Sequence, residues 1–186
     1  ALTMRRALSY ASNFDALIVQ HALDQDLQSA GVMHEGELAT RLGLTGIPVA
    51  AETAIIDRDI RLVELTDARY HIHQISSGES VEAVRQAKAR GLAVSCGVSA
   101  AHLMLNENDV ENYRTFAKLN PPLRSEDDRL ALVDGLADGT IDIVVSGHNP
   151  QDAEAKRQPF AQAAYGTVGV ETLLSVLLSL HNAHGL

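Results

Sequence analysis

Residues 70–98, YHIHQISSGESVEAVRQAKARGLAVSCGV, decide the fold. The apolar run from Tyr70 to Ile75 reads as a strand buried on both faces, and so does the run from Leu92 to Val98. Between them, Ser80 to Arg90 carries a helical period: Val81, Val84 and Ala87 recur on one face while Glu82, Arg85 and Lys88 point outward. Gly91 stands where a helix is commonly closed by a residue in the left-handed conformation. A strand, a helix and a second strand in that order make a parallel βαβ unit with a right-handed crossover.

The same pattern extends on both sides. Ala16 to Gln20 and Ile141 to Val145 are further strand-like runs, and helical patterns cover Gly36 to Leu42, Ala51 to Leu65 and Glu126 to Ala137. Ser125 is a natural cap for the last of these, with Glu126, Asp127 and Asp128 in its first turn. The fold class is therefore α/β, with about four βα units and parallel strands. A closed (β/α)₈ barrel takes about 250 residues. The 186 residues here fit a partial (β/α)₈ TIM barrel, an open doubly wound sheet, or part of a longer protein. No repeat or linker divides the chain, so residues 1–186 read as a single domain. A half-barrel would leave the first and last strands with bare edges, which predicts a homo-oligomer or a longer parent chain.

Composition narrows the function. Fifteen Lys and Arg against 24 Asp and Glu give a net charge of −9, which argues against nucleic-acid binding through a basic surface. With 4% aromatic residues and no tryptophan, a stacking platform for single strands is also disfavoured. The most apolar stretch, Val170 to Leu180, is broken by Glu171, Thr172, Ser175 and Ser179 and falls short of the roughly 20 residues of a membrane span. It reads as a buried helix. The N-terminal residues lack the apolar run of a signal peptide, and the lone Cys96 suits a reducing compartment, so a cytoplasmic location is expected.

Parallel βα arrays work at the C-terminal ends of their strands. His21 directly follows the first strand, as a metal ligand or as a histidine bonding its own loop. His71 and His73 share one face of their strand, as an H-x-H metal grip or as a helix-facing pair, and Gln74 should point the other way. Asn120-Pro121-Pro122-Leu123-Arg124 is a stiff turn that either holds an amide or a guanidinium toward a ligand or is a plain loop before its helix. After the last strand, His148 reads as acid, base or ligand, and Gly147 offers no side chain. The amides of Tyr165 to Gly169 precede the apolar helix and suit an anion. Cys96 reads as core, and Asp109, Glu111, Asp152 and Glu154 as helix starts or solvated charges. No Walker loop, H-E-x-x-H, C-x-x-C or nucleophile elbow appears.

Taken in order, QHALD, GVMHEGELATRLGLTGIP, YHIHQIS, KLNPPLRSEDDR, DGTIDIVVSGHNPQD and AAYGTVGVETLL resemble dihydroorotase, of the cyclic amidohydrolase superfamily. The resemblance implies a zinc-dependent (β/α)₈ hydrolase that interconverts carbamoyl aspartate and dihydroorotate in pyrimidine biosynthesis, with this chain as strands five to eight. It implies His21 as the fifth-strand zinc ligand, Asn120 as a substrate contact, and Tyr165 and Gly166 as the loop over the pyrimidine ring. It also implies losses. Gln74 stands where the family has a zinc-ligand histidine, Gly147 where it has the catalytic aspartate, and Gln151 where it has a final histidine.

No catalytic residue is therefore assigned, zinc is expected to be weakly held or absent, and the chain is expected to be inactive as given. The expected partner is a small-molecule pyrimidine precursor, with no nucleic acid and no membrane. The alternative is a non-catalytic pseudoenzyme scaffold that binds aspartate transcarbamoylase. Hydantoinase-type chemistry ranks third.

Overall fold

The computed structural model describes residues 1–184. Helix α1 (Leu2–Ser12) leads into strand β1 (Leu17–Gln20), and a short helix α2 (Gln25–Gln28) follows, capped by the Asp24 carboxylate. Strand β2 (Met33–His34), helix α3 (Glu37–Leu42) and strand β3 (Gly46–Ile47) form a small parallel flap. The alternation then becomes regular: α4 (Ala50–Thr66), β4 (Arg69–Ile72), α5 (Gly78–Ala89), β5 (Val94–Ser99) and α6 (Ala100–Met104). Two 3₁₀ segments, Glu107–Tyr113 and Thr115–Ala117, precede α7 (Glu126–Ala137) and β6 (Ile143–Val145). The chain continues through α8 (Ala153–Lys156) and α9 (Leu173–His184).

The four strands expected from the sequence form one parallel sheet in the order β1-β4-β5-β6. Their helices follow from identifiable signals. Ser125 caps α7 by accepting from the Asp128 amide, and α5 closes at Arg90 with Gly91 at φ 79°. Tyr70, Ile72, Cys96 and Val98 face the helices and pack with Ile56, Val84 and Leu132 in the main core. Residues of the opposite phase, Leu17 and Val19 on β1 and Ile143 on β6, are exposed. A doubly wound sheet would have both faces covered. One covered face and two uncovered edges make this an open segment of a (β/α)₈ barrel. A second core, with Val32, Met33, Leu38, Leu119, Leu123 and Phe160, fills the space between the flap and the C-terminal loops.

Two expectations are corrected. The apolar stretch near the C-terminus is not a fully buried helix: it begins at Leu173, and Val176 and Leu180 are buried while Leu174 and Leu178 are 67% and 52% exposed. The helix rests one stripe against α6 and its other side is uncovered. The H-x-H pair does not face the helices either, since that side belongs to Tyr70 and Ile72. Helix α1 and the flap carried little sequence signal: α1 has no side-chain cap and no acid in its first turn, and β2 and β3 are two residues each. No helix among the described residues is long and apolar enough to cross a membrane.

One buried carboxylate joins these layers. Glu52 on α4 is fully buried and accepts from the Ser76 amide at 2.9 Å, the Ser76 hydroxyl and the Ser80 hydroxyl at 2.5 Å. Ser76 Oγ in turn accepts from Arg124 Nε at 3.1 Å. Glu52→Ala would strip an acceptor from one amide and two hydroxyls, and is expected to cost about 3 kcal/mol or more in urea unfolding. Glu52→Gln, which keeps a carbonyl acceptor, should cost clearly less.

Candidate functional site

The C-terminal ends of all four long strands open on one cavity of about 530 Å³. His21 lies one residue beyond β1, His73 and Gln74 just beyond β4, Ser99 at the end of β5, and Ser146 to His148 just beyond β6. Asn120, Tyr165 and Gly166 close the remaining wall. The structure thus brings His21, Asn120, Tyr165 and Gly166 together, with Gln74, Gly147 and His148 among them. Gln74 does not point away from His73 as strand alternation predicted. The ladder ends at Ile72, His73 N–H donates to Gln20 O, Ile75 N–H donates to Gly97 O, and the chain bends so that both side chains reach the cavity. His71 lies deeper, with Nδ1 2.8 Å from Ser95 Oγ, and burial lowers its pKa. The two histidines therefore do not form a grip.

The proline turn presents its amide and withholds its guanidinium. Asn120 Oδ1 is buried at the cavity wall with no hydrogen-bond partner among the described residues. Arg124 turns away, donating through Nη1 to Ile47 O at 2.7 Å and to His34 Nδ1 at 3.2 Å. The turn is held from behind by His102. A carbonyl only accepts, so Nε2–H must donate to Pro121 O at 3.0 Å, and Nδ1 then accepts from Ser99 Oγ at 2.7 Å. Desolvation lowers the pKa of this buried imidazole.

Lys118 orders the opposite wall. Its backbone carbonyl accepts Gly166 N–H at 2.9 Å, and its ammonium sits 4.6 Å from the Tyr165 ring centroid while donating to Phe160 O and Ala161 O. Burial lowers the Lys118 pKa and raises that of Tyr165, whose hydroxyl donates to Gly31 O at 2.7 Å and ties the flap to this wall. Two of the loop amides expected to suit an anion are engaged: Gly166 N–H serves Lys118 and Gly169 N–H donates to His148 Nδ1, as does the following Val170 amide.

Gly147 adopts φ 60°, and a Cβ there would stand 3.0 Å from Ser99 Cβ and 3.5 Å from Gln74 Nε2. Among the described residues the cavity lining thus offers the imidazoles of His21, His73 and His148, that of His102 already engaged on both nitrogens, and the amide of Gln74, but no carboxylate or thiolate. Cys96 is in the core, its thiol pushed up to about 12 by burial first and by nearby Asp142 second. Among the described residues no three His, Cys, Asp or Glu side chains stand together to hold a metal ion. A zinc centre takes three or four such donors, so the residues present do not by themselves fit one.

Ser99, His102 and Lys118 were missed by sequence reasoning. The Ser99-x-x-His102 spacing matches a helix cap, which was legible, whereas Lys118 gives no sign in sequence of being buried without an acid.

An open stretch of (β/α)₈ barrel with a polar cavity at its strand ends has its polar side chains where barrels of this class carry their sites. Dihydropyrimidinase from Brevibacillus agri superposes with a TM-score of 0.84 at 23% identity, over 98% of this chain and 42% of that one. Dihydroorotase from Saccharomyces cerevisiae gives 0.74 at 14% identity, over 96% and 48%. In sequence, residues 1–80 match the family described as Dihydro-orotase-like. Dihydroorotase from Ehrlichia chaffeensis is 45% identical over 98% of this chain and 41% of its own length. That from Anaeromyxobacter dehalogenans is 50% identical over 95% and 41%. The chain belongs to the dihydroorotase family and spans about two fifths of the length of these curated relatives.

The buried His102 has a lowered pKa in the folded state, so between that value and the ordinary histidine value the unfolded chain binds a proton that the folded chain does not. Stability should therefore fall as pH drops below about 6.5, by up to about 1.4 kcal/mol per pH unit in that window. Urea midpoints at pH 7.5 and pH 5 should differ in that direction, and the His102 ring resonances should titrate at a lower pH than those of an unfolded histidine.

Proposed function

We propose that this chain forms the pyrimidine-precursor wall of a dihydroorotase-type site and, as given, binds such a ligand without turning it over. The observation that carries this reading is the convergence of His21, Asn120, Tyr165 and Gly166 on one cavity. Asn120 Oδ1 is available to accept a ring N–H, and Tyr165 with Gly166 would cover the ring. The yeast dihydroorotase structure contains 5-fluoroorotic acid, an acidic pyrimidine, which supports the ligand class proposed here. His21 is assigned the fifth-strand metal position that the family resemblance implies.

Turnover is the part proposed to be absent. Gln74 supplies a neutral amide in place of an imidazole, a weak zinc ligand, and Gly147 supplies no group to manage a proton. Loss of such a general acid–base group alone costs roughly 10²- to 10⁴-fold in rate. A second reading is a non-catalytic scaffold, with aspartate transcarbamoylase as its partner. The bare strand edges and the exposed Leu17, Val19 and Ile143 favour association, whether with a partner, a second copy or further barrel units of a longer chain. A cytoplasmic setting is proposed on the strength of the single buried cysteine.

Metal analysis of the purified protein should give well under one zinc per chain, and calorimetry should detect dihydroorotate binding without hydrolysis. Stoichiometric zinc or turnover would overturn the proposed inactivity, and absence of binding would overturn the ligand assignment. Gln74→His combined with Gly147→Asp should raise dihydroorotate hydrolysis in a polypeptide that supplies the other strands. The same Gly147→Asp change, at a left-handed position close to Ser99, should cost about 1 kcal/mol of stability.

A further inference from the structure

His148 was open to three roles in sequence, and the geometry removes two of them. Its Nδ1 accepts from the backbone amides of Gly169 and Val170, each at 3.2 Å. Backbone N–H groups only donate, so Nδ1 must carry a lone pair, and a neutral imidazole then carries its proton on Nε2. The ring is held in place by its surroundings. His148 N–H donates to Ser146 Oγ at 3.3 Å, Asn149 N–H donates to Thr167 O at 2.9 Å, and His148 and Thr167 form an isolated parallel bridge. A Cβ on Gly169 would stand 2.0 Å from Ser146 O, so the loop can bring its amides to Nδ1 only with glycine at that position. With Nδ1 filled and Nε2 protonated, the ring cannot act as a base or metal ligand in this state. Among the described residues no acceptor meets Nε2, and His148 is exposed at the cavity.

We infer that His148 is a fixed Nε2–H donor of this cavity and that its ligand sets an acceptor oxygen, a carboxylate or amide carbonyl, against it. The inference rests on the ligand class proposed above. Across the same cavity Asn120 Oδ1 is an acceptor without a donor. A solvent-facing donor and a buried unmatched acceptor suit a ligand that carries both an amide N–H and a carbonyl or carboxylate, and suit a hydrocarbon or a cation poorly.

Long-range ¹H–¹⁵N spectra of the labelled protein test the donor directly. The resonance lost in His148→Gln should show the Nε2–H tautomer in the free protein and should move on addition of dihydroorotate. By calorimetry, His148→Phe should bind dihydroorotate about tenfold more weakly or worse. His148→Gln, whose carbonyl can accept the loop amides and whose amide can donate, should stay within about threefold of the parent. An Nδ1–H tautomer, or unchanged affinity in a folded His148→Phe, would overturn the inference. If the parent protein binds no dihydroorotate, the ligand class falls in both readings. The tautomer then still decides on its own whether His148 is a donor.

Discussion

The arrangement of the site depends on a carboxylate that water does not reach. Glu52 takes the Ser76 amide, the Ser76 hydroxyl and the Ser80 hydroxyl as its hydrogen-bond donors, all from the stretch that leaves β4 and opens α5. Through Ser76 it is linked to Arg124, and through Arg124 to Ile47 in the flap and to the turn that begins at Asn120. A buried charge with this many partners is costly to disrupt, because each partner would then be left unsatisfied. The consequence is positional: α4, the end of β4, the start of α5, the flap and the proline turn meet at one point. Desolvation lowers the pKa of the Arg124 guanidinium, with Glu52 opposing that shift, so the cation persists there because anionic groups offset its burial.

The opposite wall uses a different kind of support. Lys118 and Lys156 are both buried, and their ammonium groups donate to main-chain carbonyls: Phe160 and Ala161 for the first, Thr115 and Ala164 for the second. Both pKa values are lowered by desolvation, and that of Lys156 further by the neighbouring Lys118. Such a lysine fixes loops that have no regular ladder to hold them. The segment from Ala153 to Gly169 has only the four-residue α8 as regular structure, yet it supplies Tyr165 and Gly166. The polar interior of the wall is thus what makes an irregular segment rigid enough to shape a cavity.

Much of this was legible in the sequence, for reasons that differ by element. The four sheet strands are apolar runs, although β1 and β6 leave one face exposed, and helix α7 announces itself through Ser125 and the three acids after it. The gathering of His21, Asn120 and Tyr165 followed from topology, because parallel strands deliver their C-terminal loops to one end. What stayed hidden depended on non-local contacts. Nothing near Gln74 in sequence signals that the ladder stops at Ile72, since that depends on where Gln20 and Gly97 end their own strands. The state of His148 is set by amides 21 and 22 residues away, and the exposed side of α9 by what does not cover it.

Recognition and chemistry make different demands on this cavity. Binding the polar ring proposed above needs donors and acceptors held in place, and Asn120, His148 and the Lys118-supported loop would meet that need with ordinary hydrogen bonds. Proton transfer needs a group whose charge can change while facing the ligand. Gly147 has no side chain, Gln74 does not ionise, and His148 has its second nitrogen engaged by the main chain, so none of these three suits that task. The backbone is committed to the same state: at φ 60° and against Ser99, position 147 accommodates a glycine more readily than any residue with a side chain. On the reading proposed above, turnover would ask for a change of conformation as well as of side chain at position 147, whereas binding would ask for neither.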